Sequence, residues 1–239
     1  MIDRRLSFFT MVVRGILFFI LIIAFLFVVA GRLDYWQGWL FGGISLAFFL
    51  LNVILLRHNP ELALERQRPG PGMKSWDKAY LAISALMGLT ALVLAGLDAG
   101  RYGWSGSLPA WLYALSIGLF AAGQAILLWA KVANKFFSSV VRIQTERGHV
   151  VCEQGPYRFV RHPGYVGGIL YGIATPILLG SYRAVIPQVL ASLMLLIRTQ
   201  LEDRLLQREL PGYRDYAGKV RSSTTAGSWA HSAAWPSNP

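Results

Sequence analysis

A single cysteine, Cys152, is present, which excludes an internal disulfide and any paired-cysteine metal site. The four histidines, His58, His149, His162 and His231, are scattered without HxxxH or HExxH spacing, so no zinc or iron centre is expected. Acidic residues are scarce, 12 Asp and Glu against 23 Lys and Arg, for a formal net charge of +11. Charged residues of all kinds make up only 15% of the 239 residues, whereas 54% are hydrophobic and the mean hydropathy is +0.45. A soluble domain of this length has no interior large enough for so much apolar surface. The basic residues lie between long apolar runs and do not gather on one soluble face. Anionic lipid headgroups therefore fit their placement, and nucleic acid does not.

What the chain has in abundance is apolar sequence in runs near the roughly 20 residues that a membrane span requires. Six segments qualify or nearly so: 13–30, 36–56, 79–97, 109–130, 165–179 and 184–197. The first follows Arg4 and Arg5 but is too long for the apolar part of a removable leader, and more spans follow it. The last two are short and are separated only by Gly180, Ser181, Tyr182 and Arg183, which predicts a tight helical hairpin, tilted or incompletely crossing. All but three of the 23 Lys and Arg fall in the N-terminal stretch, the second and fourth connections and the C-terminal segment. The exceptions are Arg32, Arg101 and Arg183. The positive-inside rule then puts both termini and the long connections in the cytoplasm. Trp36, Trp39, Trp104 and Trp111 sit near span ends on the other side, at headgroup depth. The expected architecture is all-α, a polytopic transmembrane bundle of about six spans. Residues 57–78, with Pro69-Gly70-Pro71-Gly72, read as a polar linker with room for a short interfacial helix, and 222–239 as a disordered tail.

The fourth connection is too long to be a mere link between helices. Its core, GHVVCEQGPYRFVRHPGYVGG over 148–168, has Pro156 and Pro163 to force extended or turn backbone and Gly155 and Gly164 to permit unusual torsions. A rigid irregular loop at the membrane surface suits a pocket for a soluble, charged ligand. Farther on, Arg198 and Glu202 share a helix face four residues apart, where apolar sequence gives way to charged. Read as plain structure, they are an ion pair at a helix end. Read as chemistry, they are charges at membrane depth that need protein or water around them. Arg158 and Arg161 read equally as anchors for lipid phosphates. Gly164, Gly168 and Gly172, spaced by four, predict a close helix-packing face.

GPYRFVRHPGYVGG, followed some thirty residues later by RTQLEDRLLQRELPGYRDY, resembles the carboxy-terminal signature of the isoprenylcysteine carboxyl methyltransferases and related integral-membrane methyltransferases of phospholipids and small thiols. The resemblance covers roughly 136–220 and leaves the amino-terminal spans as apolar sequence only. It implies a membrane methyltransferase using S-adenosyl-L-methionine. A cytoplasmic loop would hold the cofactor, and a lipophilic or prenylated acceptor would enter from the bilayer; neither metal nor nucleic acid is implied. It also implies a division into N-terminal spans (1–131), a catalytic region with cofactor loop, hairpin and C-terminal helix (132–221), and the tail. In the family a Phe, two variable residues, two Val and a Gln precede the cofactor; here the matching stretch is Phe137 to Arg142, with Arg142 in place of Gln. His149-Val150-Val151-Cys152 resembles the family's His-x-Leu-Val segment around the adenosine, with Cys152 where Val is usual. Tyr157 matches the Tyr of its GxY, and Arg161-His162-Pro163-Gly164-Tyr165 its Arg-His-Pro-x-Tyr. Arg198 is implied to bind the acceptor's carboxylate and Glu202 to touch the cofactor, with Asp203 standing for the second acid of the usual Glu-Glu. Glu209, Tyr213 and Tyr216 complete the family-like end with a structural role. A phospholipid amine or a small thiol remains an alternative acceptor. An NADPH-dependent reductase of the sterol type is the alternative of another class, because such enzymes share a similar terminal arrangement.

Overall fold

The computed structural model describes residues 2–57, 62, 65 and 71–220, with side chains from residue 8 onward. Most of the 57–78 linker and the 222–239 tail lie outside the described residues. The architecture is all-helical: α1 (Ile2–Ala30), α2 (Trp36–Leu56), α3 (Ser75–Ala95), α4 (Ala110–Ala133), α5 (Pro163–Leu178), α6 (Val185–Glu209) and α7 (Tyr213–Lys219). A π-helical segment, Gly96–Tyr102, continues α3, and two 3-10 turns, Thr145–Arg147 and Gly155–Arg158, lie between α4 and α5. Five of these helical stretches are long and apolar enough to cross a membrane: Phe8–Ala30, Trp36–Leu56, Ser75–Tyr102, Ala110–Ala133 and Val185–Glu209. Their outer faces are apolar and exposed, as at Phe18, Leu21, Leu193 and Ile197, which is the surface that lipid solvates.

The expected fifth span falls short. With 16 residues α5 reaches only about 24 Å at about 1.5 Å per residue, under the roughly 30 Å of a hydrocarbon core. The sixth, by contrast, runs on past its apolar stretch to Glu209, because its charged end is buried against partners described below. The hairpin between them forms as expected, with Gly180 at φ +80°.

The α4–α5 pair has the closest backbone approach. A Cβ built on Gly123 would lie 2.6 Å from Tyr171 N, and one on Gly167 2.5 Å from Gly123 O, so neither position admits a side chain. The anticipated glycine face is thus shared. Gly164 meets Phe137, Gly168 and Gly172 meet Leu195 and Gln188 of α6, and Gly167 makes the contact with α4. Without side chains on two sides, α5 fits between α4 and α6.

At the far end, the wholly buried Asp98 carboxylate accepts from Ser105 N (2.6 Å), Ser105 Oγ (2.5 Å) and Ser181 Oγ (2.6 Å), tying the π-helical segment to the α5–α6 hairpin. Tyr35 donates to Leu179 O nearby. The hairpin is held there, and its opposite end carries the cavity.

Candidate active site

Between the α4–α5 connection and the ends of α6 and α7 lies a cavity of about 790 Å³, open mouth included. The connection leaves α4 through a turn at Lys135 and Phe136, runs irregularly to Gln144, and forms one wall. Gln144 is buried and holds this wall by donating Nε2–H to Phe136 O (2.7 Å) while accepting from Arg147. Gly148 (φ +61°) and Gly155 (φ +57°) turn the chain back. Cys152 donates its thiol to Ala133 O (3.3 Å), and Tyr216 donates to Tyr157 O (2.7 Å), closing α7 over the loop. Burial raises the Cys152 thiol, so it lines the cavity as a neutral group. Burial also raises Tyr157 and Tyr216, which stay phenols.

His149 stacks obliquely on Phe136 (4.6 Å between centroids), and its Nδ1 accepts the Gln144 N–H (3.3 Å). Burial first, then the positive Arg142 and Arg147, lower its pKa to about 4, so the imidazole is neutral at pH 7. Across the cavity Asp203 Oδ1 accepts from Tyr213 (2.8 Å) and lies 3.2 Å from His162 Nε2, and Oδ2 accepts from Gln207 (2.7 Å). The His162 ring lies parallel to Tyr165, 5.6 Å away. Tyr165 in turn donates to Glu202. Arg161 Nε sits 3.2 Å from Asp203 Oδ1 without hydrogen-bond alignment, and it is the buried side-chain polar atom left without a partner among the described residues. Asp203 is its counter-charge, and Nε itself has no surface open to the cavity.

Arg142, His149, Val150, Val151, Cys152, Tyr157, Arg161, His162, Gly164, Tyr165 and Glu202 all line this one cavity. Pro163 starts α5 and is buried beside it. The Arg142 guanidinium turns away from the space it was expected to reach. It binds Glu65 through Nε (3.0 Å) and Nη2 (2.8 Å) and Glu146 through Nη2 (2.6 Å), with 1% of the side chain exposed. Arg198 and Glu202 do not pair along α6: Glu202 takes the Tyr165 hydroxyl, and Arg198 takes Asp77 of α3. Arg198 lies behind Tyr165, its guanidinium carbon 5.2 Å from that ring and 4.7 Å from Tyr80. Tyr165 therefore separates Arg198 from the cavity.

Sequence reasoning passed over Asp77, Glu65, Gln144 and the cavity-lining role of Tyr213 and Tyr216. Asp77 did carry a signal, as an acid in the first turn of an apolar span. Gln144 and Glu65 carried none.

The donor set suits S-adenosylmethionine. Aromatic and aliphatic walls can take its adenosine, the Arg161 guanidinium its carboxylate, and Glu202 with the tyrosine rings its cationic end. No group of three or more His, Cys, Asp or Glu able to hold a metal occurs among the described residues.

Residues 116–208 match the model of the isoprenylcysteine carboxyl methyltransferase (ICMT) family. A protein-S-isoprenylcysteine O-methyltransferase of Schizosaccharomyces pombe is 34% identical over 68 residues, 28% of this chain and 29% of that protein. A probable protein-S-isoprenylcysteine O-methyltransferase of Oryza sativa subsp. indica is 29% identical over 92 residues, 38% of this chain and 48% of that protein. The chain thus spans less than half the length of these curated relatives. The matched region carries most of the cavity wall, from Asn134 to Leu206, whereas Asp77 and Glu65 lie outside it.

Proposed function

We propose that this chain is an S-adenosylmethionine-dependent integral-membrane methyltransferase acting at the cytoplasmic face on the carboxylate of a lipophilic, prenylcysteine-like acceptor. The observation that carries this reading is the coincidence of one cavity, with an arginine and a carboxylate in its wall, and the segment matching the methyltransferase family. When bound, the cofactor supplies a methyl group on a cationic sulfur, open to in-line displacement. His149, Val150, Val151, Cys152 and Tyr157 enclose its apolar part, and Arg161 binds its carboxylate. His162 with Gly164 and Tyr165 shapes the opposite wall, and Glu202 balances the positive charge. An acceptor α-carboxylate, with an ordinary pKa of about 3.5, is already anionic at pH 7 and needs no base. The task left to the protein is orientation and exclusion of water. Arg198 is the cation that the family resemblance assigns to that carboxylate, and Tyr165 has to move aside for the two to meet at the cavity. The basic connections support a cytoplasmic position for this end, from which the cofactor enters from water while the acceptor's apolar part enters from the bilayer.

Purified protein incubated with methyl-labelled S-adenosylmethionine and a panel of prenylcysteine, lipid-amine and thiol acceptors tests this reading. The expected result is a base-labile methyl ester on the prenylcysteine. Label on an amine or thiol alone would replace the acceptor, and NADPH binding without S-adenosylhomocysteine binding would replace the enzyme class. Arg198→Ala is expected to abolish carboxyl transfer while leaving S-adenosylhomocysteine affinity within about threefold, a loss of a single oriented contact.

A further inference from the structure

Arg158 and Arg161 share one loop, yet the structure gives them opposite directions. Arg161 turns inward, with Nε 3.2 Å from Asp203 Oδ1 and Nη1 donating to Ala217 O (3.4 Å). Arg158 is exposed, and its guanidinium has no partner among the described residues. The turn that carries it, Gly155–Arg158, contains no acid, and the nearest one along the chain, Glu153, is met by Lys219 at 3.7 Å. Beside Arg158, the Phe159 ring is 70% exposed. It is not an isolated apolar side chain, because its ring lies 6.4 Å from that of Trp129 on α4. Gly155 permits the approach: a Cβ there would lie 2.9 Å from Ala133 Cβ and 3.0 Å from Trp129 Nε1. Trp129 in turn belongs to a continuous outer face of α4. Trp111, Leu115, Ala122, Ala125, Trp129 and Val132, at helical spacing, are all exposed and all apolar. Trp111 and Trp129 stand about 27 Å apart at about 1.5 Å per residue, so the two indoles bracket a hydrocarbon core of roughly 30 Å. Phe159 therefore extends the lipid-facing strip of α4 onto the cavity loop, at the depth where acyl chains give way to headgroups.

We propose that the Arg158–Phe159 turn is a docking element for an anionic lipid leaflet, with Phe159 entering the acyl boundary beside Trp129 and Arg158 meeting lipid phosphate. The ring exchanges water for acyl chain, and the unpaired cation is drawn to the negative headgroup plane. The contact bears on the cavity. Tyr157, which adjoins Arg158, lines it, and Tyr157 O accepts from Tyr216 (2.7 Å), so lipid reaches the cavity wall through one peptide unit. The docking does not depend on which reaction the cavity carries out.

The test uses the full-length protein with the photoreactive p-benzoylphenylalanine in place of Phe159, held in nanodiscs of phosphatidylcholine and phosphatidylglycerol in equal parts. Irradiation is expected to attach lipid at position 159, with phosphatidylglycerol favoured about fivefold, the effect of one cation at an anionic surface. The same group in place of Leu193, exposed on the outer face of α6, is expected to capture the two lipids in their mixing ratio. Adding Arg158→Gln should leave lipid capture at position 159 in place and return it to the mixing ratio. Both substituted side chains are exposed, so the folded protein is recoverable in each case. Cross-links from position 159 to a second copy of the chain, or no lipid captured there while Leu193 captures it, overturn the docking. Lipid capture without preference for phosphatidylglycerol, or a preference that survives Arg158→Gln, overturns the anionic partner assigned to Arg158.

Discussion

His149 shows how a residue expected to line a site acquires a chemical state from its neighbours. Its pKa of about 4, against 6.5 in an unstructured chain, means that the unfolded protein binds a proton there in the interval between those values and the folded protein does not. Stability is therefore fully present above about pH 6.5 and is lost as the pH falls toward 4. Thermal unfolding in detergent at pH 7.5 and pH 5 is expected to show a lower midpoint at pH 5. His149→Gln, which cannot take up the proton, should shrink that difference, and an equal drop in both proteins would show that other groups set it. The position of His149 was legible from its place before two valines, but its neutrality was not. That depends first on the burial of the ring and then on Arg142 and Arg147 being brought beside it by the fold. Arg142 itself illustrates the opposite case. Sequence put it at the cavity, and its backbone is there, but the direction of its guanidinium is set by Glu65, about 80 residues earlier, which no local pattern announces.

The spans could be read from composition because lipid imposes one rule on every outward face, whereas helix ends follow tertiary partners that composition does not reveal. Trp36–Leu56 begins and ends where the apolar run does. The last long helix does not. It continues through Arg198, Glu202 and Asp203 because Asp77, Tyr165 and the Tyr213–His162 pair receive those charges. The glycine spacing in α5 was visible, yet the contact of greatest consequence, Gly167 on Gly123, belonged to the neighbouring register. A methyl group at Gly167 would meet backbone at 2.5 Å and 2.9 Å, and backbone cannot rotate aside. Gly167→Ala is accordingly expected to lower the thermal midpoint, at a cost of about 1–3 kcal/mol from overpacking. Gly118→Ala on the open face of α4, where a Cβ meets nothing within 4 Å, should be neutral or slightly stabilising. Equal effects in a detergent unfolding assay would contradict the assignment of α5 as the tightly packed element.

The matched segment and the working site are not coextensive in the whole molecule. Two buried arginines in the cavity region, Arg142 and Arg198, have their buried counter-charges in the N-terminal half, at Glu65 and Asp77. Removing Asp77 leaves the Arg198 charge uncompensated and costs about 3–5 kcal/mol, a large part of the stability of a domain this size, whereas Arg142 without Glu65 keeps Glu146. A fragment starting at Ser107, just beyond the exposed turn with Gly103 and Gly106 at φ +66°, contains every residue of the family match and the whole cavity lining, but neither acid. It is expected to bind S-adenosylhomocysteine at least tenfold more weakly than the intact chain. Co-expression with the complementary fragment 1–106 restores both counter-charges and the α3–α6 packing, and binding should return without a peptide bond between the halves. The same co-expression with Glu65→Ala and Asp77→Ala in the first fragment should not restore it. Recovery with the doubly substituted fragment would mean that the N-terminal spans support the cavity through apolar packing alone.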